Sequence, residues 1–208
     1  MAQTRFDYLV RNDFFAGLAG NQEAFKRAMD TTERVLAENP NHPEALVWHG
    51  MGVLMVAGQE FQKGKGQEAN ALLQKGIAET DRAVELAPDS IGVRIPRGAG
   101  LTQATRGMRE PMGSALLEKA RTDFQHAYDV QQNRLEKMGT HPLGELLQNL
   151  GDIYSRQGKP AEAEKYYGRM QSMLKDTVYA KRAAQWMETR QPLPAAQTTC
   201  VGCHTGNQ

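Results

Sequence analysis

Apolar residues recur along most of this chain three and four positions apart, the spacing that lines one face of an α-helix. The pattern holds from Arg5 to about Thr189, and strand-like alternation is absent from it. Gly, Pro and Asn interrupt it repeatedly and mark helix ends. In the first stretch, about Arg5 to Pro40, the apolar face is Phe14, Phe15, Leu18, Phe25, Met29, Val35 and Leu36. A second stretch opens at Pro43 with Leu46, Gly50 and Val53, and closes on Ala83-Val84-Glu85-Leu86-Ala87-Pro88. Between them, from about Gln59 to Leu73, Gly64, Lys65 and Gly66 suggest an insertion, read as a long surface loop with an extended second helix. The stretch from Asp89 to Met138 reads as a further pair. Its long second helix starts near Ser114 and carries Leu116, Leu117, Ala120, Phe124, Ala127, Tyr128 and Leu135 on one stripe. A last helix, Asp176 to Thr189, with Val178, Ala180, Ala183, Trp186 and Met187, is placed to cap the array.

The most regular stretch begins at Pro142. Leu147, Leu150, Gly151, Tyr154, Gly158, Ala163 and Tyr167 are spaced as two antiparallel helices in close contact require. Gly151 and Ala163 are small where the helices approach. Leu147, Leu150, Tyr154 and Tyr167 fill the seam, with Tyr154, Ala163 and Tyr167 expected to touch. Gly158 ends the first helix, and Pro160 suits the first turn of the second. This spacing resembles a tetratricopeptide repeat, strictly over 142–175 and loosely over most of 5–189. The resemblance implies an all-α protein of antiparallel helix pairs stacked as a short solenoid over residues 1–189, working by binding other proteins.

Composition narrows this little. The formal net charge is +1 at pH 7, so nucleic acid and membrane surfaces are not expected as general partners. No apolar run approaches the roughly 20 residues of a membrane span. Met1-Ala2-Gln3-Thr4 does not open a signal peptide. There is no Ser-His-Asp arrangement, phosphate-binding glycine loop or distinctive carboxylate pair, so an enzyme is not expected.

The sharpest chemistry lies in residues 190–208. Pro192 and Pro194 exclude a helix interior after Thr189, and the segment reads as an extended connection of about ten residues, spanning up to ~35 Å. It leads to Cys200-Val201-Gly202-Cys203-His204, which holds both cysteines of the chain. A disulfide, half a zinc site and a thioredoxin-type pair compete for this motif. The zinc reading lacks further ligands, and the thioredoxin reading lacks a preceding strand. The spacing suits two thiols adding to the vinyl groups of one porphyrin, with the next imidazole reaching the iron.

The motif resembles the haem site of c-type cytochromes. That resemblance implies one covalently attached haem c, with Cys200 and Cys203 as thioether anchors and His204 as proximal ligand. It also implies a periplasmic or extracellular location, with an export signal removed from this sequence. Few residues follow His204, so the wrapping fold of single-domain cytochromes is not expected. The sixth ligand is sought among His141, the first choice, then His49, with His42 and His126 behind. Arg94, Arg97, Arg106 and Arg109 form a basic stretch suited to haem propionates or an acidic partner, or else a solvated face balanced by Asp89 and Glu110. The expected function is electron transfer by an extracytoplasmic monohaem cytochrome, with the array docking a redox partner or another copy of itself, and homo-oligomers forming through the haem tail. The alternative is an interaction scaffold whose tail is structural or sensory. Weak peroxidase-like activity is a minor third reading.

Overall fold

The structure is a computed structural model, and it describes residues 5–198. Those residues form ten α-helices and two 3₁₀ turns, with no strand among them. The all-α expectation holds, and successive helices pack as antiparallel pairs in the manner of a tetratricopeptide array. The described residues fall into two compact units, the first running to Gly100 and the second starting at Leu101. Cys200, Cys203 and His204 lie outside the described residues.

In the first unit, α1 (Asp7–Leu18) pairs with α2 (Gln22–Glu38). The side chain of Asn21 caps α2 by accepting the Ala24 N–H at 3.1 Å. Helix α3 (Pro43–Gln62) pairs with α4 (Gly66–Leu86). His42 caps α3, its Nδ1 accepting the Ala45 N–H at 3.1 Å, and Pro43 sits in the first turn. Phe6, Val10, Phe14, Val47, Trp48 and Val93 form the heart of this unit's core. Phe14 lies 5.2 Å from Trp48, ring centre to ring centre. Leu18 is the exception in the predicted apolar face, being half exposed.

Of the insertion expected between Gln59 and Leu73, the extended second helix is present and the long loop is not. Helices α3 and α4, of 20 and 21 residues, both run into it and leave only Lys63-Gly64-Lys65 as a turn. Gly64 takes φ +78°, a left-handed conformation open to glycine at no steric penalty. Gly66 begins α4 and needs no special conformation. The glycines that suggested a loop mark one tight turn.

Helix α5 (Ile91–Ala104) contains Pro96 and straddles the division between the units. The second unit continues with a 3₁₀ turn (Thr105–Gly107), α6 (Met112–Gln131), a second 3₁₀ segment (Gln132–Lys137), α7 (Thr140–Arg156), α8 (Pro160–Met173) and α9 (Val178–Thr189). Every member of the predicted stripe is buried, but α6 ends at Gln131, so Leu135 lies in the second 3₁₀ segment and not on the helix. Gly158, at φ +68°, ends the turn after α7, and Pro160 opens α8. At the α7–α8 seam Leu147, Leu150, Ala163 and Tyr167 are fully buried. The aromatic contacts differ from expectation. Tyr154 stacks on Tyr166 at 5.6 Å, whereas Tyr167 stacks on Trp186 of α9 at 4.7 Å. Adjacent tyrosines on α8 point to different sides, so only one can face Tyr154.

The segment after α9 also departs from expectation. Arg190, at φ +55°, ends α9, and a short helix α10 (Ala195–Thr198) follows. Leu193 and Thr198 are buried at 1% and 3% exposure. This stretch is not a free tether. It folds against the second unit.

Candidate functional site

His141 sits at the start of α7, half buried. Its Nδ1 lies 2.9 Å from the Tyr179 hydroxyl. Tyr179 in turn donates to Glu145 Oε1 at 3.0 Å. The hydroxyl has one hydrogen and gives it to the carboxylate, so Nδ1 is the donor to Tyr179. That relay orients the ring, as second-shell partners of metal-bound histidines do.

His49 is buried in α3 between two carboxylates. Glu79 Oε2 of α4 approaches Nδ1 at 2.6 Å, and Glu33 Oε1 of α2 faces Nε2 at 3.7 Å. This is the arrangement of a hydrogen-bonded core histidine, tying three helices together. His42 is a helix cap with its ring 5.1 Å from Phe6, and His126 is half buried on α6. Among the described residues no three or more His, Cys, Asp or Glu side chains gather as a metal site.

Half of the basic stretch points inward. Arg97 is buried and pairs with Asp81 at 2.8 Å. Arg94 donates to the Pro88 carbonyl at 2.5 Å. Arg106, in the 3₁₀ turn, pairs with Asp152 of α7 at 2.7 Å. Arg97 and Arg106 are spent on contacts inside the fold, whereas the Arg94 bond lies at the surface and Arg109 is exposed.

Arg106 leads to the best-defined polar constellation of the second unit. Asp152 has no exposed side-chain surface and is flanked by Arg106 and, at 3.7 Å, by Arg156. Burial raises the Asp152 carboxyl above its ordinary range, and it outweighs the attraction of both guanidiniums. Burial likewise lowers Arg156. Arg156 is fixed by the Thr102 carbonyl at 2.7 Å and the Thr105 hydroxyl at 2.8 Å. Arg106 reaches on to the chain's last described residues. It donates to the Leu193 carbonyl at 3.2 Å and the Thr198 hydroxyl at 2.9 Å. Gln103, near the end of α5, donates to the Thr198 carbonyl at 3.0 Å. Beside this cluster opens a polar groove of about 540 Å³, bordered by Glu110, Glu118, Arg156, Lys159 and Pro192.

Sequence reading missed Asp152 and Arg156 because both occupy positions within an amphipathic helix that look like ordinary surface charge. The clue was a carboxylate directly after Gly151, on the buried side of α7.

With this geometry in place, comparison with known proteins adds one finding. The tetratricopeptide repeat pattern matches residues 144–170, which span α7 from Gly144 and most of α8. No curated protein and no solved structure matches the chain. The matched repeat implies protein partners, and no helix of the described residues is long and apolar enough to cross a membrane.

Proposed function

We propose that the chain is a protein-interaction scaffold that carries a haem group on its C-terminal C-x-x-C-H. The observation behind the scaffold is the α7–α8 pair, whose buried seam coincides with the matched repeat. Such pairs present rigid helix faces, and rigid faces lose little conformational entropy on binding. A stoichiometric protein partner, or concentration-dependent self-association in sedimentation, is the expected result. A chain that stays monomeric and partnerless under native conditions overturns the scaffold.

The second reading, an extracytoplasmic monohaem electron carrier, is favoured by the motif itself. Cys200, Cys203 and His204 are a donor set that fits haem c, with two thiols at vinyl spacing and one imidazole for iron. Once attached, the haem would supply one-electron chemistry. His141 is the preferred distal residue, because its Nδ1 relay to Tyr179 and Glu145 already sets the ring. His49, held between two carboxylates, stands behind it. The redox partner is another protein or a second copy, the location is the periplasm or outside the cell, and peroxidase-like turnover is at most a side activity. Production with a haem-attachment system tests this. Sharp reduced α and β bands that survive acid-acetone extraction are expected, and their absence leaves the scaffold alone. His141→Ala should shift a low-spin spectrum to high spin. A wild type already high-spin removes His141 from the iron.

A further inference from the structure

We infer that the face of the second unit built by the end of α5, the 3₁₀ turn and α7 is a peptide-docking site, and that its occupant is the chain's own segment 193–198. The inference rests on the scaffold reading and names which surface docks what. The segment is held in the way a bound peptide is held. Two side chains five positions apart, Leu193 and Thr198, are buried, while Pro194, Ala195 and Ala196 between them stay exposed. Two of the polar contacts go to main-chain carbonyls, those of Leu193 and Thr198. The other two go to the Thr198 hydroxyl, from Arg106 and from Gln103. Such a pattern reads an apolar residue and a hydroxyl at fixed separation and tolerates what lies between.

The receiving groups are set without help from the segment. Asp152 holds Arg106, and the Thr102 carbonyl and Thr105 hydroxyl hold Arg156. A preorganised face with two anchor points binds reversibly rather than as part of the core. The segment is also mechanically separate from the helices before it. Arg190 ends α9 in the left-handed region, and Pro192 and Pro194 prevent the helix from continuing. The occupied state therefore ties down the chain two residues before Cys200, and the open state exposes a site for a segment of the same Leu-x-x-x-x-Thr chemistry.

The test uses the full chain and a fluorescent peptide of residues 190–198, titrated to about 1 mM, the scale of effective concentration a short tether gives in cis. Leu193→Asp should open the site and bind the peptide at least tenfold more tightly than wild type. Adding Arg106→Ala should abolish that binding. Should Leu193→Asp not fold, Thr198→Val removes the hydroxyl that Arg106 and Gln103 hold, without burying a charge, and should give the same ranking. Equal binding by wild type and opened variant overturns the inference, as does no binding by a folded variant. Exchange of the segment between two copies of wild type overturns the assignment in cis. Partner association by wild type is read separately, so the scaffold can survive failure of this site.

Discussion

Helices α3 and α7 carry the same small residue at the same place and use it differently. Gly50 follows Leu46 by four positions and precedes Val53 by three, as Gly151 follows Leu147 and precedes Tyr154. In the first unit a Cβ on Gly50 would lie 2.8 Å from a Thr80 methyl and 3.0 Å from the Gly76 carbonyl oxygen. Gly76 is itself a glycine facing back, so backbone meets backbone. In the second unit a Cβ on Gly151 would lie 2.8 to 3.0 Å from the Tyr167 ring. The obstacle there is a side chain, wedged by its stack on Trp186. One seam is closed by two main chains that cannot retreat. The other is closed by a ring whose freedom depends on a third helix. A repeat position can thus keep its residue while the reason for that residue changes.

Breaking the third-helix wedge has the largest expected effect. Trp186→Ala removes a fully buried indole that also donates to Ser155 at 2.8 Å, and should cost about 3–5 kcal/mol in chemical denaturation. The same change should make Gly151→Leu cheaper than it is in wild type, a coupling that a double-mutant cycle measures. Additive costs would show that the wedge is not what confines Tyr167. Next comes Gly50→Leu, expected near 3 kcal/mol, because the Gly76 carbonyl cannot swing aside. Gly151→Leu should be milder, about 1–2 kcal/mol, since a ring can shift by fractions of an ångström. Equal costs for the two glycines would erase the distinction between the seams.

The smallest effect concerns the turns that close the two pairs. Arg121, the leading cause, and Gln157 hold the Glu118 carboxyl below its ordinary range, and Lys63 and Lys65 do the same to Glu60. A carboxylate lowered in the folded state adds stability above its unfolded value, near 4.5, and loses it as pH falls through the folded value. Glu118→Gln and Glu60→Gln should each flatten the acid side of the stability profile, and only slightly, because solvent screens such pairs. Glu118 reaches a residue far off in sequence, accepting from Gln157 just past α7 at 2.9 Å, whereas Glu60 is held within its own turn, so the Glu118 change should be the larger. Identical slopes would make the bridge irrelevant.

What the sequence revealed depends on how far apart the cause lies from its effect. The α6 stripe and the α7–α8 seam follow from neighbours within a helical turn or across one tight turn, and they were legible. The α3–α4 pair was misread because Gly64 and Gly66 look alike in sequence, yet only Gly64 needs its left-handed conformation. His49 and Glu79 meet across 30 residues, and Arg106 and Asp152 across 46, separations set by helix lengths that no local spacing encodes. Leu193 was hidden for another reason. Flanked by two prolines, it carries no periodicity, and its burial is decided wholly by the surface it lands on. The cysteine motif was legible as chemistry, but it lies outside the described residues.

The two tryptophans give this chain a built-in pair of optical reporters. Trp48 sits in the first unit beside Phe14, and Trp186 sits in the second against Tyr167. They are the only two in the sequence. Trp48→Phe therefore leaves emission from the second unit alone, and Trp186→Phe leaves emission from the first. Each unit can be followed through denaturant in its own colour, without a label. Superimposable curves would make the chain one cooperative body, and separated midpoints would divide it at α5.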